Sequence, residues 1–376
     1  MMNPLKQLEM LKNKGRPVIA CFPLYPPLAL FHSMGLTPVV IWGLRGHVAG
    51  TEASDRHLPS YTCSVARHLT EFILTDARDL IDGIFMYNAC DTLRNLPEIM
   101  LDQLNDAGRG PGIPFFRMHL PMTSRDQTDA SGYLKNEIRS LTQNLSDCFG
   151  AGFSSEKFQN SVALYQRMRA LALAAQDQVA AGRLGFLDFV EVMQAGAFMP
   201  VEDHLRALED LTAGAGTHNA DASRPPEDKT IGVMISGILP PPPSVISAIA
   251  AAGMTIVADD IAPFYRSYAV MPAPMSDPAE YYAKFYDDHY PCPTLLYSGD
   301  RRPAALIDRI RQSRAGAMIF IGEKFCEYEY FEFPFLEKKL AEMGIPSLLL
   351  EIAIEDNAHT AAHNARIAAF AEMIKN

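Results

Sequence analysis

The chain has 376 residues, enough for two or three domains of ordinary size. Hydrophobic residues make up 48% of it and charged residues 20%, a composition that supports packed cores and excludes a disordered chain. Its 33 Lys and Arg against 44 Asp and Glu give a net charge of −11 without any long basic run, so we expect no nucleic-acid partner.

Residues 1–150 predict an N-terminal α/β domain. Short runs rich in β-branched and aromatic residues alternate with helical stretches, which is the pattern of a parallel sheet covered by helices. The first run is Pro17-Val-Ile-Ala-Cys-Phe22, and an amphipathic turn opened by prolines follows it. The predicted strands are 17–22, 38–42, 83–87 and 113–118, and the predicted helices are 64–80 and 93–105.

Residues 151–225 predict a helical region and a linker. Apolar residues recur every three or four positions over 154–212, and no strand pattern is present. Gly, Pro and small polar residues dominate 213–226, a composition typical of linkers. We therefore predict a helical insert or cap between two sheet domains.

Residues 226–376 predict a second, C-terminal α/β domain. The fold class is accordingly α/β, with two Rossmann-like (flavodoxin-like) parallel-sheet domains. The predicted strands are 231–236, 254–258, 317–321 and 346–351, and the predicted helices begin near 244 or span 279–288, 302–313, 332–343 and 358–374.

Two segments bear on localisation. Thr230 to Ala258 holds no charged residue over a length that could cross a bilayer, but Pro240 to Pro243 interrupt it. A strand, a proline-started helix and a second strand explain it better than a lipid-facing helix. Residues 1–16 lack the apolar segment of a secretory signal, so we expect a cytoplasmic protein that does not enter the membrane.

Two cysteines occupy matching places in a near-repeat. In Cys90-Asp91 and Cys326-Glu327 a predicted strand runs into a cysteine and an acid, a helix follows, and Gly-Ile-Pro begins the next strand. Ligands of parallel α/β sheets collect outside the carboxyl ends of the strands, where both cysteines are expected. The six cysteines form neither CxxC nor a zinc-ribbon spacing, so any joint role has to come from the fold.

Cys63 stands just before a predicted helix, whose N-terminus is expected to lower its thiol pKa. Together with the cysteines of the near-repeat it offers three thiolates for a soft metal centre such as an iron–sulfur cluster. The alternative is that all three serve as small buried hydrophobes. Cys21, at a strand end, competes for membership, while Cys148 and Cys292 are interpreted as structural.

Other motifs are weaker. GxGxxG after the first strand, GxxxxGK[ST] and GxSxG are missing, which argues against a dehydrogenase, an ATPase and an acyl hydrolase. Ser236-Gly237 fits either an anionic ligand or a tight turn. Asp259-Asp260 with Arg266 fits either a functional cluster or a structural cap and ion pair.

The cysteine-bearing segments stand in an order that resembles the 2-hydroxyacyl-CoA dehydratase and benzoyl-CoA reductase family, most closely its smaller, β-type dehydratase subunit. The resemblance extends over nearly the whole chain. The matching segments are Cys21-Phe-Pro-Leu-Tyr25, Pro38-Val-Val-Ile-Trp-Gly43, Cys63-Ser64, Cys90-Asp-Thr-Leu93, Ala258-Asp-Asp260, Lys324-Phe-Cys326 and Gly344-Ile-Pro-Ser-Leu-Leu-Leu-Glu351.

The resemblance implies a [4Fe-4S] cluster held by Cys63, Cys90 and Cys326, and a larger homologous α-type subunit as partner. It also implies a transient activator protein that hydrolyses ATP and supplies one electron. The acyl-CoA substrate then forms a ketyl radical at its thioester carbonyl, expels hydroxide from the α-carbon, loses a β-proton and returns the electron.

One departure concerns the first loop. Family members often carry two acids where this chain has Leu28-Ala29, so the resemblance assigns no catalytic acid or base here. It also implies that substrate lies against the cluster of the larger subunit, which makes this chain an electron relay. Two alternatives stay open: a subunit of an ATP-dependent benzoyl-CoA reductase, and a scaffold without cluster or catalysis.

Overall fold

The computed structural model describes residues 3–106, 112–122, 129–214, 230–295, 301–355 and 360–375. These residues form two four-stranded sheets in which every strand pairing is parallel, with α-helices around them. The predicted fold class, an α/β protein with two parallel sheets, is confirmed.

The first sheet has the strand order β2-β1-β3-β4. Every residue of β1 and β3 is buried, because helices cover both faces of a parallel sheet and long apolar runs suit such strands. The elements are α1 (Pro4–Asn13), β1 (Val18–Phe22), α2 (Leu28–Ser33), β2 (Thr37–Val40), α3 (Ser64–Leu74), β3 (Gly83–Tyr87), α4 (Asp91–Asp106), β4 (Phe115–Met118) and α5 (Ala130–Phe149).

The segment that follows is helical, as predicted, and consists of α6 (Ser155–Ala180), α7 (Phe186–Gly196) and α8 (Val201–Gly214). Ser154 caps α6 by accepting a hydrogen bond from the Lys157 N–H. Helix α6 packs against α2 on the side of the first sheet and against β6 of the second. Most of the predicted linker, residues 215–226, lies outside the described residues.

The second sheet repeats the order of the first, as β6-β5-β7-β8. The uncharged stretch 230–258 is a strand, a helix and a strand, as predicted, and no helix among the described ranges could span a membrane. The elements are β5 (Ile231–Gly237), α9 (Pro243–Ala251), β6 (Met254–Ile261), α10 (Tyr265–Tyr268), α11 (Pro278–Asp288), α12 (Arg302–Ser313), β7 (Ala317–Glu323), α13 (Glu327–Glu342), β8 (Ser347–Ile352) and α14 (Thr360–Lys375).

Two helix boundaries differ from the prediction. Helix α13 begins at Glu327 rather than 332, because Glu327 and Glu329 favour its positive N-terminus although Pro334 lies inside it. Helix α3 ends at Leu74 rather than 80, where the Ala77 N–H turns back to the Phe72 carbonyl. Helix α1, capped by the Asn3 side chain, was not predicted.

Helix α11 belongs to the core around the first sheet, although it follows the helical segment in sequence. Tyr281, Tyr282 and Tyr286 are buried there, and α11 packs against α5. The Tyr282 hydroxyl accepts hydrogen bonds from the Ala29 and Leu30 N–H groups at 2.9 and 3.3 Å. These contacts bring the two halves of the chain together, and the domain boundaries at 150 and 225 stay predictions.

Candidate metal centre

The candidate site lies where equivalent strands of the two sheets end. In each sheet the chain moves first to one side of the opening strand and then to the other, so β1 and β3, like β5 and β7, flank a switch in strand order. Ligands of such sheets bind beyond the carboxyl ends of these strands. Cys90 follows β3 and Cys326 follows β7, the matching strands of the two sheets.

Each of the three predicted cysteines stands at the start of a helix. Cys63 is the N-cap of α3, Cys326 is the N-cap of α13, and Cys90 immediately precedes α4. Backbone N–H groups of each first turn donate to the thiol, as those of Val65 and Ala66 do for Cys63. Three positive helix ends therefore face the three sulfurs, an arrangement that stabilises negative charge.

The three cysteines line one cavity of about 50 Å³, which we call the cysteine pocket. No charged side chain contributes to its wall. Besides Cys63, Cys90 and Cys326, the wall consists of Phe22, Trp42, Val65, Ala66, Ala89, Leu93, Ile238, Pro293, Thr294 and Tyr328. The fold thus brings together all three predicted residues, which lie up to 263 positions apart (326 minus 63).

Burial dominates the electrostatics of the thiols. It raises the pKa of Cys63 to about 12, with a smaller contribution from Glu323, and it outweighs the lowering by the helix N–H groups. The expectation of a lowered Cys63 pKa is therefore wrong for the metal-free protein. Burial also raises the pKa of Cys326, to which the nearby Cys63 and Cys90 add. Metal binding then has to displace protons from the thiols.

The residues present fit a cluster better than a single ion. In the part of the chain that the structure describes, no three His, Cys, Asp or Glu side chains are placed to hold one metal ion. In a cubane cluster the cysteines bind different irons, so the sulfurs stand farther apart than around one ion. Three thiols, helix N–H donors and an apolar wall match the donor set and the shielding that such a cluster requires.

A buried bridge that sequence reasoning missed fixes Cys63 against Cys326. The Ser64 N–H donates to the Glu323 carboxyl at 3.1 Å, the Ser64 hydroxyl donates to the same oxygen, and the Ile354 N–H donates to the hydroxyl at 2.9 Å. Glu323 ends β7, so the bridge joins α3 to the second sheet. No sequence signal marks it, because its partners are 259 positions apart.

The backbone before Cys326 is also unusual. Phe325 has φ 65°, a left-handed conformation that non-glycine residues rarely adopt and that tends to occur at functional sites. Glu329, in the first turn of α13, accepts hydrogen bonds from the Glu323 and Ile238 N–H groups, both at 2.8 Å. These contacts hold the turn that presents the Cys326 thiol.

The remaining cysteines lie elsewhere. Cys21 is buried in β1 and its thiol donates to the Ile19 carbonyl at 3.6 Å. Cys148 is exposed on α5. Cys292 is buried beside Thr294, with the sulfur 3.2 Å from the hydroxyl. None of the three lines the cysteine pocket.

The Asp259-Asp260 segment forms a buried structural network. Asp260 is paired with Arg266 and Arg302, and the Ser236 hydroxyl donates to it at 2.7 Å. Ser236 therefore supports the ion pairs. Of the two interpretations of this segment, the structural ion pair is the one that the geometry favours.

The fold and the site define a two-sheet α/β protein with a thiol-lined pocket between equivalent strand ends. The family model described as "2-hydroxyglutaryl-CoA dehydratase, D-component" matches residues 23–374, and the chain belongs to this family. The expected family is thereby confirmed.

Named relatives align over nearly the full length of the chain. The lactoyl-CoA dehydratase subunit beta of Anaerotignum propionicum is 26% identical, with 99% of this chain and 96% of the relative covered. The (R)-phenyllactyl-CoA dehydratase beta subunit of Clostridium sporogenes is 24% identical over the same shares. A benzoyl-CoA reductase subunit of Thauera aromatica is 25% identical over 96% and 92%.

Proposed function

We propose that this chain is the β-type iron–sulfur subunit of a 2-hydroxyacyl-CoA dehydratase, an enzyme that eliminates water from a 2-hydroxyacyl-CoA through a ketyl radical. The observation that carries the proposal is the convergence of Cys63, Cys90 and Cys326 on one apolar pocket. Beta subunits of two 2-hydroxyacyl-CoA dehydratases among the relatives support the reaction class.

Cys63, Cys90 and Cys326 would hold a [4Fe-4S] cluster, which supplies one-electron transfer at low potential. The residues of the chain set the conditions for it. The wall around Phe22 and Trp42 excludes water, the helix N–H groups stabilise the negative charge of the thiolates, and the Ser64–Glu323 bridge positions the ligands. No catalytic acid or base is assigned.

We propose a larger homologous α-type subunit as the stable partner, and an ATP-hydrolysing activator as the transient one, in the cytoplasm. Two large apolar side chains support a docking surface. Phe331 and Phe335 lie one turn apart on α13 and are 75% and 50% exposed, and α13 begins beside the cysteine pocket. Exposed aromatic residues in a row are typical of interfaces.

A second candidate reaction is reduction of an aromatic acyl-CoA ring, favoured by the relative that belongs to a benzoyl-CoA reductase. The test is an anaerobic assay of the chain with its α-type subunit, activator and ATP, using a 2-hydroxyacyl-CoA and benzoyl-CoA in parallel. The proposal expects the enoyl-CoA product only. A cyclic diene from benzoyl-CoA supports the second candidate, and a colourless, inactive complex supports a cluster-free scaffold.

A further inference from the structure

A second cavity, of about 130 Å³, lies beside the cysteine pocket and shares Trp42 with it. We call it the arginine pocket. Strand β2, the helical segment α6–α8 and the chain that follows β6 all contribute to its wall. Most of that wall is apolar and includes Met168, Met193, Phe264 and Phe285. None of the three cysteines takes part, so this cavity is distinct from the candidate metal centre.

The wall contains one buried cation without an anion. Arg169 on α6 is only 8% exposed, and its Nη1 has no hydrogen-bond partner. Its guanidinium carbon lies 4.8 Å from the centre of the Phe285 ring, and it hydrogen-bonds the neutral Tyr281 phenol. No carboxylate in the described ranges pairs with it. A buried charge of this kind is costly unless an anion compensates it.

Two further buried groups in the same wall lack partners. The Tyr268 hydroxyl and the His204 Nε2 have no hydrogen bond, although the two residues are only 1% and 6% exposed. Burial lowers the pKa of His204 to about 4, so its ring is neutral at pH 7. The His204 ring lies against Gly196, where a Cβ would come within 2.1 Å of it. Unsatisfied buried polar groups of native proteins call for a ligand, water or ion.

We propose that the arginine pocket binds a small organic carboxylate with an apolar body. Arg169 Nη1 donates to the carboxylate, the Tyr268 hydroxyl donates a second hydrogen bond, and the methionine and phenylalanine side chains pack around the body. A cavity of this type, mostly apolar with a few convergent polar groups, is typical of small-molecule sites. The inference goes beyond the proposed function and does not depend on the cluster.

The chain carries a built-in reporter, because its only tryptophan, Trp42, lines the pocket. The experiment is a titration of the intact chain with 3-phenylpropanoate, followed by tryptophan fluorescence and by calorimetry. We expect saturable binding of one equivalent. The neutral analogue 3-phenylpropanamide should bind at least about tenfold more weakly, since it lacks the charge that Arg169 recognises.

Variants separate the arginine from its surroundings. Arg169→Met should weaken 3-phenylpropanoate binding at least about tenfold and leave the amide unaffected, while Tyr268→Phe should weaken it about fivefold. Arg167→Met is the matched control, because Arg167 lies on the same helix but is exposed and paired with Glu209. It should bind as the wild type does.

Several outcomes would overturn the proposal. These are the absence of saturable binding to the wild type, equal affinity for acid and amide, or an unchanged affinity in Arg169→Met. Thermal unfolding of each variant checks that it is folded. Should Arg169→Met not fold, Tyr268→Phe decides alone, since it removes only one hydroxyl, and an unchanged affinity there contradicts the model of binding.

Discussion

Replacing Asp260 by Asn tests whether buried ion pairs hold the second sheet and its loops together. The carboxylate contacts Arg266 Nη2 at 2.8 Å and Arg302 Nη1 at 2.9 Å, and all three residues are nearly or fully buried. Although burial alone would raise the pKa of Asp260, the two guanidinium groups outweigh it and hold that pKa well below its usual range. The carboxylate is therefore charged in the folded protein.

Asp260→Asn leaves two buried guanidinium groups without their shared anion. Breaking a buried pair by removing one partner costs about 3–5 kcal/mol. Asp259→Asn is the matched control, because Asp259 is equally buried but burial raises its pKa to about 6. Asn at 259 replaces a nearly neutral group, and the disturbed hydrogen bond from Gln176 costs about 1–2 kcal/mol.

The assay is equilibrium unfolding in urea at pH 7, followed by circular dichroism. We expect the free energy of unfolding to fall by about 3–5 kcal/mol in Asp260→Asn and by clearly less in Asp259→Asn. The reasoning is refuted if Asp260→Asn loses less than about 1 kcal/mol, or no more than its control.

The remaining predictions concern pH and the partner surface. Since burial lowers the pKa of His204 from 6.5 to about 4, the unfolded chain gains a proton between these pH values that the folded chain refuses. The free energy of unfolding should therefore fall by about 3 kcal/mol as the pH drops from 6.5 to 4, and His204→Gln should remove that slope, as urea titrations at each pH can show. The double variant Phe331→Ser with Phe335→Ser should weaken binding of the α-type subunit at least about tenfold in calorimetry. Met373→Ser, which alters an equally exposed residue on α14, should not, and equal losses in both would contradict the assigned surface.

The sheets and the positions of Cys90 and Cys326 were predictable because their signals are local. A buried run that ends in a cysteine and an acid, then a helix, then Gly-Ile-Pro places each cysteine at a strand end without any distant contact. Both sheets share one strand order, so the two ends occupy equivalent places. The place of Cys63 beside them rested on the family resemblance rather than on its spacing.

Other features depend on contacts between distant segments and carry no local signal. The Ser64–Glu323 bridge forms only when α3 meets β7, and the unpaired Arg169 is recognisable only once α6 is buried between other elements. The direction of the Cys63 pKa was mispredicted for the same reason. A helix N-terminus is visible in the sequence, whereas the burial that outweighs it is a property of the folded chain.

The central claim is that three distant cysteines hold one iron–sulfur cluster, and metal analysis of anaerobically purified protein tests it most directly. We expect about four irons and four sulfides per chain in the wild type. Cys63→Ala, Cys90→Ala and Cys326→Ala should each lose most of the iron, and the exposed Cys148→Ala should keep it. Full iron in Cys326→Ala, or no iron in the folded wild type, would contradict the account.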